Sequence, residues 1–194
     1  MQRTPEVTEA DLARRLLAGD EGAFDDFVDH FQRRVFHYVF LMCGSREDAE
    51  EVAQETLLKV FASLDQLRDP ERVKAWVFRI AKNACLMKRR RSVFAPKHEL
   101  PLEDGAHEVA DRSPAPEERI LRNEMRELVH RALASLPEIY RSVILLREFE
   151  ELSTAEAAEV LDVSEDVVKT RLHRGRLALR QALDALLESP ASVR

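Results

Sequence analysis

The chain has 194 residues, a formal charge of -6, 45% hydrophobic and 34% charged residues, and Gly 5. That length admits one large domain or two small ones, each near the lower limit for a self-sufficient core. So little glycine argues against turn-rich sandwiches and barrels and for an all-α protein.

Thr8, with Asp11 three residues on, has the form of a capping box, and Leu12, Leu16 and Leu17 repeat at helical spacing until Gly19. A second helix is expected from Glu21 to Met42, carried by Phe24, Phe27, Val28, Phe31, Val35, Tyr38 and Val39. Ser45 caps a third. Its apolar stripe leaves Glu47, Asp48, Glu51, Gln54 and Glu55 on the opposite face. Asp69 as cap and Pro70 at the first helical position open a fourth helix, expected to run to about Arg91 with Val73, Val77, Ile80, Ala84 and Met87 inward. Residues 93–116 hold prolines, a glycine and many acids without a sustained period, which reads as a linker. Beyond it, helices are expected from Glu117 to Ser135, from Pro137 through Leu146, from Ser153 to Leu161, and from Glu165 onward. The organisation is four helices (8–92), linker (93–116), four helices (117–187).

The acidic total hides a segregated charge. Residues 66–98 are strongly basic, 99–118 strongly acidic, and 165–180 basic again, and a local patch sets the field that a phosphate backbone meets. In STAEAAEVLDVSEDVVKTRLHRGRLALR, a capped short helix, the turn Asp162-Val163-Ser164 and a longer helix follow the helix-turn-helix plan, with small Ala157 allowing close approach. Lys169, Thr170, Arg171, His173, Arg174 and Arg176 fall mostly on the outer face of the second helix, which suits a major groove. Asp162 tolerates the left-handed turn where glycine is common. Gly175, inside the second helix, costs about 1 kcal/mol of propensity.

With these segments in view, the chain resembles bacterial RNA polymerase sigma factors of the extracytoplasmic-function type, the minimal two-domain kind. REDAEEVAQET (46–56) resembles the family's polymerase-binding segment, KAWVFRIAKNACLMKRRR (74–91) its promoter-opening segment, and LPEIYRSVILLREFEELSTAEAAEVLDVSEDVVKTRLHRGRLALR (136–180) the domain that reads the element near minus 35. The resemblance implies that Asp48, Glu51, Gln54 and Glu55 meet core RNA polymerase at its clamp coiled coil, with the flap as a further contact. It implies single-strand contacts near minus 10 from Arg68, Arg72, Trp76, Arg79, Lys82 and Asn83, with Lys88, Arg89, Arg90 and Arg91 on duplex phosphates. It also implies minus 35 contacts from Arg147, Ser164, Glu165, Lys169, Thr170, Arg171, His173, Arg174 and Arg176. The linker is expected to be held extended through polymerase while two separately folded bodies grip one promoter. A cognate anti-sigma factor is a further expected partner.

Cys43 and Cys85 belong to no C-x-x-C pair, so neither a metal site nor a dithiol switch is expected, and no cofactor. No leader opens the sequence, and the densest apolar run, Val35 to Cys43, is too short to span a bilayer, which predicts a cytoplasmic protein without membrane insertion. Phosphate-loop, zincin and nucleophile-elbow motifs are all absent, which argues against an enzyme. The competing reading is a stand-alone helix-turn-helix regulator, which gives no reason for the second basic helix.

Overall fold

The computed structural model describes residues 7–93 and 116–188. The tether expected over 93–116 therefore lies, apart from its end residues, outside the described residues. Among the described residues every regular element is helical.

Helix α1 (Glu9–Leu17) starts where Thr8 accepts from the Asp11 backbone N–H and the Asp11 side chain accepts in return from the Thr8 N–H. Helix α2 (Gly22–Cys43) buries Phe27, Phe31, Val35, Tyr38 and Val39, and stops at Gly44, whose φ of 82° supplies the left-handed cap. Helix α3 (Arg46–Ala62) is capped by Ser45, and its one buried hydroxyl, on Thr56, donates to the Val52 carbonyl at 2.7 Å. Asp69 caps a tight 3-10 turn over Pro70–Arg72, so helix α4 (Val73–Val93) begins three residues later than the proline suggested.

The buried face of α4 is wider than the expected stripe. Ala75, Trp76, Phe78, Ala81 and Cys85 are buried alongside Val73, Val77 and Ala84, whereas Met87 is 45% exposed. The cause is that α4 packs against α2, α3 and a helix of the second half, so it is enclosed from more than one side.

That second half comprises α5 (Pro116–Ser135), α6 (Glu138–Ile144), α7 (Thr154–Leu161) and α8 (Glu165–Glu188). The run expected as one helix through Leu146 instead widens after Ile144 into a π turn over Leu145–Phe149. Arg141 holds the α5–α6 corner by donating to the carbonyls of Ala134 and Leu136 at 2.7 and 2.9 Å. Gly175 has a reason that helix propensity does not reveal: a Cβ there would lie 3.1 Å from Ile144 Cδ1 and 3.4 Å from Tyr140 Cβ. Its bare backbone lets α8 settle on α6.

The two halves also pack against each other in this arrangement. Buried residues from Leu12 to Leu172 form one apolar cluster, and α7 lies on α4. Polar ties run across the same boundary. Arg34 on α2 reaches Glu150 at 2.8 Å, Lys74 on α4 donates to the Glu150 carbonyl at 3.1 Å, and Arg141 donates to the Leu41 carbonyl at 3.1 Å. Glu150 is 4% exposed, and a carboxylate that deep requires such a partner. Burial pushes its carboxyl above the usual value, and Arg34 opposes the shift.

Candidate nucleic-acid interface

The helix-turn-helix is built by local chemistry. Ser153 and Glu156 form a reciprocal capping box at the start of α7, and Asp162 takes φ 56°, ψ 52° at its end. Ser164 Oγ then accepts from the Val167 N–H at 3.4 Å to start α8. Ala157, Val160, Val168 and Leu172 are buried where the two helices cross. The opposite face of α8 is open: Ser164, Glu165, Lys169, Thr170, His173, Arg174 and Arg176 are exposed and Arg171 is half-buried.

Few of these side chains are heavily engaged. Lys169 pairs with Asp166 at 3.2 Å across one turn, and Thr170 donates to the Asp166 carbonyl at 2.8 Å. Arg176 reaches Glu148 at 2.5 Å. Both ion pairs are at least partly solvated, with Lys169 and Arg176 each 61% exposed, so phosphate can compete for the cations. Arg147 is different. Its guanidinium donates to the Leu152 carbonyl, and its Nε is buried without a partner. It braces the loop between α6 and α7 instead of facing a groove.

On α4 the expected strand-contacting residues divide. Arg68 in the preceding loop, Asn83, Arg90 and Arg91 are exposed, and Lys82 is half-buried. Asn83 sits with Lys59, Ala62, Ser63, Ile80 and Met87 along a shallow groove between α3 and α4. Arg72 and Arg79 both point to Glu159 of α7, at 2.7 and 3.5 Å. Arg89 pairs with Glu138 of α6. Trp76 is 8% exposed, so its ring belongs to the core in this closed arrangement and offers no face for a base.

The acidic face of α3 is also occupied in part. Lys88 lies 3.0 Å from Asp48 and 2.5 Å from Glu51, joining two groups that sequence had assigned to different partners. Glu55 pairs with Lys59 at 2.6 Å, and Gln54 is exposed.

Three further features escaped sequence reasoning. Glu159 and Glu150 tie the halves together over separations of 80 residues or more, and no local pattern marks such pairs. His37 Nε2 on α2 approaches His130 Nε2 on α5 at 3.4 Å. Burial, the neighbouring imidazole and Arg126 push His37 down to about 4, so the pair is neutral at ordinary pH. Cys43 and Cys85 bring their sulfurs within 3.8 Å, where spacing had suggested two unrelated thiols.

Among the described residues no helix is long and apolar enough to cross a membrane, and no cluster of metal-binding side chains occurs.

Two family models match this chain, Sigma-70 region 2 over residues 27–93 and Sigma-70, region 4 over residues 126–179. The chain is 32% identical to the ECF RNA polymerase sigma factor SigW of Bacillus subtilis, over 88% of this chain and 94% of SigW. It is also 32% identical to the RNA polymerase sigma-H factor of Pseudomonas aeruginosa, over 91% of this chain and 94% of that one. Among solved structures, CnrH in complex with the cytosolic domain of CnrY superposes with a TM-score of 0.64 at 25% identity, covering 93% of this chain and 99% of that chain. The sigma factor RpoE bound to the anti-sigma factor NepR, from Bartonella quintana, shares the fold at 22% identity, with a TM-score of 0.64 over 83% of this chain and 96% of that one. Two helical modules, each with one cation-rich helix and each matched by its own family model, lead to one assignment: the chain belongs to the ECF family of RNA polymerase sigma factors, which direct promoter-specific transcription and are not catalysts themselves.

Proposed function

We propose that α8 reads the upstream promoter element in the duplex major groove while α4 and the loop before it capture the melted strand downstream, with the α3 face docked on core polymerase. The observation that carries this reading is the open outer face of α8, where Lys169, Thr170, His173 and Arg174 are exposed on one side of a packed helix-turn-helix. Thr170 and the residues before it stand near the helix start, where base edges are reached, and the later cations suit phosphates. Glu165, at the helix N-terminus, can accept a hydrogen bond from cytosine.

The reading requires α4 to leave α7. Arg72 and Arg79 are paired to Glu159 in the closed arrangement, so strand capture and the closed arrangement are alternatives. Core polymerase, by holding the α3 face through Asp48, Glu51, Gln54 and Glu55, would favour the separated form by binding it better. Binding energy, with no nucleotide hydrolysis, opens the strands. A cognate anti-sigma factor is the natural antagonist, supported by the NepR-bound relative. The site of action is the cytoplasm, with the polymerase and the chromosome.

The test is run-off transcription with purified core polymerase on a promoter library. Initiation from a defined subset of promoters is expected. A chain that never confers initiation, yet binds duplex sites alone at nanomolar strength, would be a stand-alone regulator instead.

A further inference from the structure

Cys43 is the last residue of α2, and Cys85 lies in the middle of α4. Their sulfurs stand 3.8 Å apart, in direct contact though beyond the bonded length of ~2.05 Å. The two thiols differ in access, since Cys43 is half-buried and Cys85 is 2% exposed. They also differ in polarity. The Cys85 thiol, by hydrogen bonding, holds Cys43 below the usual thiol value, against the effects of burial and Asp48 and with help from Lys88 and Arg89. The same contact together with burial pushes Cys85 well up. A half-buried, more acidic thiol in contact with a buried one suits an attacking and a resolving cysteine.

We propose that Cys43 and Cys85 are a redox-active dithiol, closed to an intramolecular disulfide by hydrogen peroxide, that ties the end of α2 to the middle of α4. In the first step the Cys43 thiolate attacks one peroxide oxygen. The O–O bond breaks, a sulfenic acid forms on Cys43, and the departing hydroxide takes a proton to become water. Next, Cys85 gives up its proton as its sulfur attacks Cys43 Sγ, forming the S–S bond and breaking the S–O bond, and the second hydroxide leaves as water. Two thiols and one peroxide thus become a disulfide and two waters, with two electrons passing from sulfur to oxygen.

The consequence lies in what the link encloses. The closed loop contains all of α3, with Asp48 and Glu51, and the connection that carries Arg68 and Arg72. Lys88, which grips Asp48 and Glu51, follows Cys85 by three residues on the same helix. Oxidation would fasten the candidate polymerase face and the candidate strand-capturing helix to one frame.

Peroxide treatment of the folded, full-length chain, alkylation of remaining thiols and non-reducing peptide mapping test the proposal without any variant. The expected product is monomeric, lacks two hydrogen atoms, joins the Cys43 and Cys85 peptides, and reverts with dithiothreitol. Cys85→Ala should instead leave a sulfenic acid on Cys43 that dimedone traps, and Cys43→Ser should give neither product. Wild-type protein that forms only Cys43-linked dimers or sulfinic acid, with Cys85 still open to alkylation after unfolding, overturns the proposal.

Discussion

Helices α4 and α8 are both rich in arginine and lysine, and the fold treats them in opposite ways. α4 is packed by α2, α3 and α7, and Arg72 in the turn before it and Arg79, Lys88 and Arg89 on it are each met by a carboxylate. α8 is packed on one side only, against α5, α6 and α7; on its other side Lys169 and Arg176 sit in exposed pairs and Arg174 faces solvent. The lesson concerns availability rather than charge: a cation already paired at close range must give up that partner before phosphate gains anything. On the proposed reading, α8 is ready for duplex DNA in the free protein, whereas Arg72 and Arg79 must first give up Glu159.

The most severe way to break this contrast is to remove the buried tie. Glu150→Ala leaves Arg34 with only Glu9 as a carboxylate partner and should destabilise the packed form by about 3 kcal/mol. Urea unfolding would show a lower midpoint or a new early transition, and an unchanged curve would mean that the halves already part in solution. On α8, Arg171→Ala with Arg174→Ala should weaken upstream-element binding by roughly tenfold or more and flatten the dependence of log K on log salt by about 2. An unchanged slope removes both from the phosphate contacts.

A smaller effect comes from pH. His37 is held down to about 4 against an ordinary 6.5, by burial first and then by His130 and Arg126. His130 is lowered as well, by burial and Arg126, with Glu127 opposing. An imidazole that binds its proton more weakly when packed favours the open form as pH falls, so closure should weaken progressively from pH 6.5 towards 4. The Glu150 carboxyl, raised by burial, carries the opposite sign. His37→Asn should therefore reduce the acid sensitivity of the urea midpoint, and a variant as acid-sensitive as wild type would place the cause elsewhere. Least in magnitude is Glu159→Gln. It unpairs exposed Arg72 and half-buried Arg79 from α7 and should raise single-strand affinity only a few-fold, with duplex reading by α8 unchanged. Fluorescence anisotropy on the two kinds of oligonucleotide checks this, and equal gains on both would mean that α4 is not selectively uncovered.

Much of the fold could be read directly because its signals are local. Thr8, Ser45, Asp69, Ser153 and Ser164 all cap or open the turns assigned to them, and Asp162 takes the left-handed turn expected of it. What escaped depends on residues distant in sequence. The stripe drawn on α4 assumed a single packing partner, so it omitted Phe78 and Cys85 and included Met87. Leu145 and Leu146 continue a helical pattern, which conceals the π turn they occupy. The encounter of Cys43 with Cys85 joins positions 42 apart. The exposed face of α8 was legible because only one side of that helix is packed. The covered state of α4 was not, because Glu159 and Glu150 reach it from the other half of the chain.

Lys88 also makes two surfaces interdependent. Its ammonium bridges Asp48 and Glu51 on α3 while standing at the basic end of α4. A cationic docking partner that claims those carboxylates evicts the lysine, and the evicted charge is then unspent beside Arg89, Arg90 and Arg91. Recruitment of the large machine would in this way recharge the helix proposed to hold nucleic acid next, a relay written in a single side chain.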